Sequence, residues 1–253
     1  MKVVVIASGS KGNCTLVQAN NKNFLIDVGI NITQLKSALN DFNLTINDID
    51  FVLVTHTHSD HIKGLASFLS KTKADLYSSI EVLEELKGKA DASRFHVIDK
   101  SFIICGINID VISLSHDVYC NGFIIDDLGS SLVYITDTGY LNKKYYPILT
   151  NKNLYIIESN HDEKMLMEGP YPYILKQRIL SDKGHLSNAT ASSTLRKLVG
   201  NDTKYVVLAH ISEHNNTKEL VYSEAIKELS KTSFDCEKII ISDQYEHSSI
   251  IEV

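Results

Sequence analysis

The chain reads as an α/β protein of the α+β kind: an αββα sandwich, with two layers of strands packed face to face between outer helices. Three observations predict it. Short apolar runs of strand length, rich in Val and Ile, recur through both halves of the sequence. Segments with helical spacing fall between them. Histidines and acidic residues recur just past the ends of the apolar runs, so strands from both halves deliver polar side chains to one edge. At 253 residues the chain can bury a full core, and no linker divides it. The expectation is one domain over residues 1–253.

Composition narrows the class without choosing a function. Apolar residues make up 43% and charged residues 22%, as in ordinary globular proteins. No segment approaches the roughly 18 apolar residues of a membrane span. The run Met1 to Ala7 is too short for a signal peptide and reads as a first strand. Four scattered cysteines (Cys14, Cys105, Cys120 and Cys236) read as reduced thiols, which points to the cytoplasm. The net charge of -6 argues against a broad nucleic-acid surface. It leaves room for a local one, because bound metal ions bring positive charge to the place a phosphate occupies.

Taken in order, strands are expected at Val3 to Ala7, Thr15 to Ala19 and Phe24 to Asp27. The loop Ser8 to Cys14 carries two glycines and can bring backbone amides close to a ligand, though its spacing alone favours a plain β-turn. Helical spacing runs from Thr33, the expected cap, to Asn43. A buried strand at Phe51 to Val54 is followed by one helix from Ile62 to Ser70. Strand Asp75 to Tyr77, helix Ile80 to Lys87 and strands at 96–98, 102–104 and 107–114 come next. His96, on an alternating strand, reads as structural. Strands at 122–126 and 131–135, a helical patch at 143–149 and a strand from Leu154 lead to a mixed segment, 165–180. A helix through Val199 opens at Ser187 or Asn188. Strand 205–208, a helix at 218–231 and a final strand pair around 239–241 and 249–253 close the chain.

The segment of greatest chemical content is Thr55-His56-Thr57-His58-Ser59-Asp60-His61, directly after a core strand. On an extended segment His56 and His58 project to the same side and can grip one metal ion. Asp60 and His61 fall in the turn, where they can face a second ion. Imidazole and carboxylate suit zinc, manganese or iron. Further donors follow at later strand ends: His116 after Leu114, Asp137 in Thr136-Asp137-Thr138-Gly139, Glu158 after Ile157, and His210 after Leu208-Ala209.

The histidine run and these later motifs, in this order, resemble the metallo-β-lactamase superfamily. The resemblance implies that His56, His58 and His116 hold one divalent ion, that Asp60, His61 and His210 hold a second, and that Asp137 bridges them. It gives Asp27, in Asp27-Val28-Gly29, a supporting role without metal contact. Two such ions, two aspartates and a bridging hydroxide leave about +1, a centre that activates water and clamps an anionic transition state. Gly184-His185-Leu186-Ser187, some way before Leu208-Ala209-His210, is similar to a motif of the tRNA 3′-processing endonucleases. It makes His185 the proton donor to a leaving oxygen, with Glu158 placed to orient it.

A fuller resemblance, over essentially the whole chain, is to the YycJ/WalJ/VicX family. It rests on Ser8-Gly9-Ser10-Lys11-Gly12-Asn13-Cys14, Leu25-Ile26-Asp27-Val28-Gly29, Glu158-Ser159-Asn160-His161-Asp162 and Gly184-His185-Leu186-Ser187-Asn188. It implies a 5′-to-3′ exonuclease on DNA, with RNA left open, in DNA repair, using zinc or manganese, with iron also compatible. Asp60, His185 and Glu158 are the expected catalytic residues. The expected substrate contacts are Ser10, Asn13, Lys176, Arg178 and Ser187, with Lys11 and Lys183 as further cations and Tyr171 and Tyr173 as stacking groups. A thioesterase- or lactonase-type hydrolase is the alternative, since it needs the same metal centre. Oligomeric state is not legible.

Overall fold

The computed structural model describes residues 1–253. The first seven-stranded sheet is ordered β14-β1-β2-β3-β4-β5-β6. Its strands are β1 (Lys2–Ala7), β2 (Cys14–Ala19), β3 (Lys22–Ile26), β4 (Phe51–Leu53), β5 (Asp75–Ser78), β6 (Phe95–Val97) and β14 (Ile251–Glu252). The second is ordered β13-β12-β11-β10-β9-β8-β7. It contains β7 (Ser101–Ile104), β8 (Ile107–Leu114), β9 (Cys120–Asp127), β10 (Ser130–Ile135), β11 (Leu154–Glu158), β12 (Tyr205–Ala209) and β13 (Ile239–Ile241). Each sheet begins as an antiparallel meander and continues as parallel strands, from β3 to β6 in one and from β10 to β13 in the other.

Burial explains the layering. Alternate residues of β1, β3 and β4 (Val3, Val5, Phe24, Ile26, Phe51, Leu53) face those of β9 to β12 (Phe123, Ile125, Leu132, Ile156, Val207) across an inner core. The other face of the first sheet packs against α1 (Ile32–Asn40), α3 (Leu65–Lys71) and α4 (Ile80–Leu86) through Leu35, Leu39, Phe68 and Leu83. The outer face of the second packs against α8 (Asn188–Leu198) and α9 (Lys218–Leu229) through Leu195, Leu198, Val221 and Leu229. These are the expected αββα layers. Four further helices, α2 (Ser59–Ile62), α5 (Tyr146–Leu149), α6 (Glu163–Glu168) and α7 (Tyr173–Leu180), sit in connections.

Several local expectations are corrected. The cap of α1 is Asn31, not Thr33: its side chain accepts from the amides of Thr33 and Gln34, and Gln34 answers with a capping box. The helix expected over 62–70 is two, broken at Gly64, whose amide bonds Val28 O at 2.8 Å. The last two strands are not partners. β13 extends the second sheet beside β12, while β14 pairs with β1 in the first. His96 is half exposed, stacked on Tyr77 and 3.1 Å from Asp75, away from the metal-ligand cluster.

Candidate metal centre

The chemistry collects where the strands of both sheets end. Asp27 follows β3, Thr55 to His61 follow β4, His116 follows β8, Asp137 follows β10, Glu158 closes β11 and His210 follows β12. Residues outside the carboxyl ends of parallel strands are where open α/β sheets bind ligands. Three of these positions turn sharply: Asp27 (φ 61°), Asp137 (φ 59°) and His210 (φ 54°) are left-handed. Side chains other than glycine rarely adopt that geometry, and each such residue costs about 1–3 kcal/mol. The turn swings each side chain off the strand line and into the centre.

The structure brings the expected donors together. One ligand atom from each of His56, His58 and His116 lies within 4.8 Å of the others, and the same holds for Asp60, His61 and His210. Asp137 groups with His56 and His61, one from each set. The histidines are oriented from behind. His61 Nδ1 is 2.7 Å from Asp27 Oδ2, His210 Nδ1 is 3.2 Å from Glu158 Oε2, and His116 Nδ1 is 3.3 Å from the Gly184 carbonyl. His56 Nδ1 meets Thr55 Oγ1 at 3.0 Å, and His58 Nε2 lies 3.2 Å from Asp117 Oδ1. An acceptor behind one ring nitrogen keeps the proton there and leaves the other lone pair for a metal.

The inward atoms bear this out as a fit. His56 Nε2, His210 Nε2 and Asp137 Oδ2 are buried without hydrogen-bond partners. Buried polar atoms in folded proteins are almost always satisfied. Three orphans among converging histidines and carboxylates therefore match a divalent cation, with imidazole and carboxylate as donors. Burial acts to raise the Asp137 carboxyl, yet the imidazoles of His210 and His61 hold it well below the usual carboxylate range, ready to ligate.

Glu158 works on two neighbours at once. Oε2 lies 3.0 Å from His185 Nδ1 and 3.2 Å from His210 Nδ1. Oε1 accepts from the amides of Thr138 and Leu186 at 2.8 and 3.0 Å. Burial opposes its charge, but His185 and His210 bring the carboxyl down to about 2. His185 thus stands at the cavity beside Asp137, its ring fixed from behind.

The expected substrate contacts divide. Ser10 and Arg178 line the cavity that opens on the cluster, with Tyr171 and Lys183. Asn13 does not: its amide is turned inward, 3.0 Å from His61 Nε2 and 3.2 Å from Asp60 Oδ2. Ser187 is the buried cap of α8, accepting from the Thr190 amide and donating to Glu163. Lys176 spends its ammonium on the Met167 carbonyl at 2.7 Å. Lys11 is tied to Glu213 and Tyr245, and Tyr173 points to solvent. The amides of the 8–14 loop are also engaged within the protein: Gly9 by Asn13, Lys11 by Gln244, Asn13 by Asp60. Sequence reasoning missed Thr55, which adjoins the histidine run, and Asp117, which follows His116 and is ion-paired with Arg178.

An αββα sandwich with a histidine–carboxylate cluster along one edge defines a divalent-metal site on a hydrolase fold. The chain belongs to the beta-lactamase superfamily, whose domain profile matches residues 22–211. It is 36% identical, over 91% of its length and 88% of the relative's, to the exodeoxyribonuclease WalJ of Streptococcus pneumoniae serotype 2. It is 35% identical, over 91% and 89%, to the exodeoxyribonuclease YycJ of Bacillus anthracis. Among solved structures it is similar to the metallo-beta-lactamase fold protein YhfI from Bacillus subtilis, with a TM-score of 0.74, 19% identity, and coverage of 98% and 99%.

Proposed function

We propose that this protein is a metal-dependent phosphodiesterase that degrades DNA from the 5′ end. The observation that carries the reading is similarity over about nine-tenths of both chains to relatives named exodeoxyribonucleases. The site supports it. His56, His58 and His116 would hold one ion and Asp60, His61 and His210 a second, with Asp137 close to both sets. Two zinc or manganese ions held there would supply an activated water and neutralise the phosphodiester; iron suits the same donors.

The remaining roles fall to side chains of the cavity. Asp60 would serve as the catalytic carboxylate as well as a ligand to an ion. His185, its Nδ1 against Glu158, presents its other nitrogen toward the leaving oxygen and donates a proton there. Glu158 keeps that ring, and His210, in one tautomer. Ser10 faces the cavity as a polar contact, and Arg178 as a cation shared with Asp117. RNA fits the same contacts, none of which reads a 2′-position.

The test is degradation of 5′-labelled and 3′-labelled single-stranded DNA by metal-stripped protein refilled with manganese or zinc. Asp60→Ala serves as control, with a chromogenic lactam and a thioester as rival substrates. Metal-dependent release of mononucleotides from the 5′ end, absent in the control, is the expected result. Intact DNA with turnover of the thioester or lactam would move the site to small-molecule hydrolysis and leave the metal assignment standing.

A further inference from the structure

The cavity over the metal cluster is small, about 260 Å³. That is just below the roughly 300–1,000 Å³ of pockets that enclose drug-sized ligands, the scale of one small unit of a larger substrate. Its walls are chemically unequal. Of 15 lining residues only three are apolar, and all three, Tyr171, Leu175 and Ile179, come from one short stretch at four-residue spacing. Leu175 and Ile179 stand one turn apart on α7, and Tyr171 lies just before it. The rest of the lining is polar or charged and includes the metal cluster with Ser10, Asn160 and Ser212.

Core packing does not account for this strip. Helix α7 has no fully buried residue, so its apolar side chains serve the cavity and the surface, not the interior. The Tyr171 ring is set edge-on to His214, with centroids 5.9 Å apart and planes at 71°. Two cations flank the strip. Arg178 is paired with Asp117, while Lys183 has no carboxylate partner and remains to meet an anion. A nucleotide has this same division into a flat apolar face and a phosphate. The strip offers only the Tyr171 hydroxyl to a base edge, too little to read sequence.

We propose that this cavity is a subsite for the terminal nucleotide of the substrate, unstacked from its neighbour. Its base lies on Tyr171, Leu175 and Ile179, and its phosphodiester faces Lys183 and the metal cluster. The assignment rests on the nuclease reading and goes beyond it: it makes the enzyme specific for chain ends and indifferent to which base is there.

The experiment compares two 5′-labelled single strands, identical except that one carries an abasic 5′-terminal unit. KM and kcat for release of the first unit are measured with wild type, Tyr171→Phe and Tyr171→Ala. With wild type, KM is about tenfold higher for the abasic end, the scale of one lost stacking contact. Tyr171→Ala raises KM for the normal end and narrows that gap, and Tyr171→Phe keeps it. Equal KM for both ends in wild type, or an equal rise on both in Tyr171→Ala, would overturn the subsite while leaving the nuclease intact. DNA untouched by wild type under either metal would overturn both.

Discussion

Thr55 has one hydroxyl and serves three neighbours. Its Oγ1 donates to Asp27 Oδ2 at 2.8 Å and lies 3.0 Å from His56 Nδ1 and 3.2 Å from His61 Nδ1. Its amide also donates to Asp27 Oδ1 at 2.8 Å. The single proton goes to the carboxylate, so the oxygen accepts from His56 and fixes the tautomer that leaves Nε2 bare. Through Asp27 the same hydroxyl steadies His61 in the other set. Thr55→Val is therefore expected to weaken metal binding at both positions, by about 10- to 100-fold, and Thr55→Ser to restore it. Titration of the metal-free protein by calorimetry reads this directly, and wild-type affinity in the valine variant would refute it. The histidine run was legible because its spacing is local. The hub was not: the resemblance gave Asp27 a supporting role, but nothing in the sequence ties it to Thr55, 28 residues on. His161 was quoted in a motif but given no role. It is buried, neither ring nitrogen has a partner, and burial pulls it from 6.5 to about 4. Above pH 6.5 both folded and unfolded chains lack this proton. Below it the unfolded chain takes a proton that the folded one refuses, so stability falls by about 1.4 kcal/mol per unit until about pH 4. His161→Gln should lose about 2 kcal/mol less than wild type between pH 6.5 and pH 5, measured by urea unfolding of metal-free protein. Parallel pH curves would show that another group governs the acid limb.

Elements reach the centre by close backbone approach. After β3 the chain passes so near the metal loop that a Cβ on Gly29 would lie 1.6 Å from the Asp60 carbonyl and 2.6 Å from the Asn13 amide. Around it, Gly29 N bonds Asn13 O at 2.8 Å, and Asn13 N bonds Asp60 O at 2.7 Å. Neither contact can yield, because both belong to backbone. Gly29→Ala should cost about 3 kcal/mol or more and displace Asp60. Its melting temperature and metal stoichiometry should fall together. A variant that melts early but binds metal with wild-type stoichiometry would mean that the loop holds its geometry without this contact. The same crowding explains one misread element and one ambiguous one. The apolar spacing from Ile62 to Ser70 is helical, but the tight approach of Gly64 to Ile30 O, which leaves a Cβ only 2.0 Å, divides it. The glycines of the 8–14 loop allowed either a ligand cradle or the plain turn that their spacing favours; the structure has the turn, closed by Gly12 N to Gly9 O at 3.1 Å, and the amides of Gly9, Lys11 and Asn13 are taken within the protein. Periodicity reports which face is buried and says nothing about what meets it.

At the scale of the whole molecule, the cluster is a seam between sheets. The run after β4 belongs to the first sheet; His116, Asp137 and His210 follow β8, β10 and β12 of the second. The recurrence of His and Asp at strand ends made this edge legible. The sheet order was not, because β13 and β14 are short apolar runs whose partners lie in different sheets. Each of the two donor sets draws on both sheets: His116 joins His56 and His58, and His210 joins Asp60 and His61. A bound cation therefore links the sheets in the folded state, and the unfolded chain cannot assemble either set. Mass action then requires metal to stabilise the fold, by about 4 kcal/mol for an ion at a free concentration 1,000 times its dissociation constant. Without it, Asp137 is left with imidazoles alone, Asp60 with imidazoles and the Asn13 amide, and the orphaned nitrogens of His56 and His210 stay unsatisfied. Stripping the metal should lower the melting temperature, and adding zinc or manganese back should restore it in a concentration-dependent way. His116→Ala should lose part of that recovery and Asp137→Asn more, since Asp137 is near both sets. If calorimetry finds the same melting temperature with and without metal in wild type, the donors are not acting as a link between sheets, and the inner core alone holds them together.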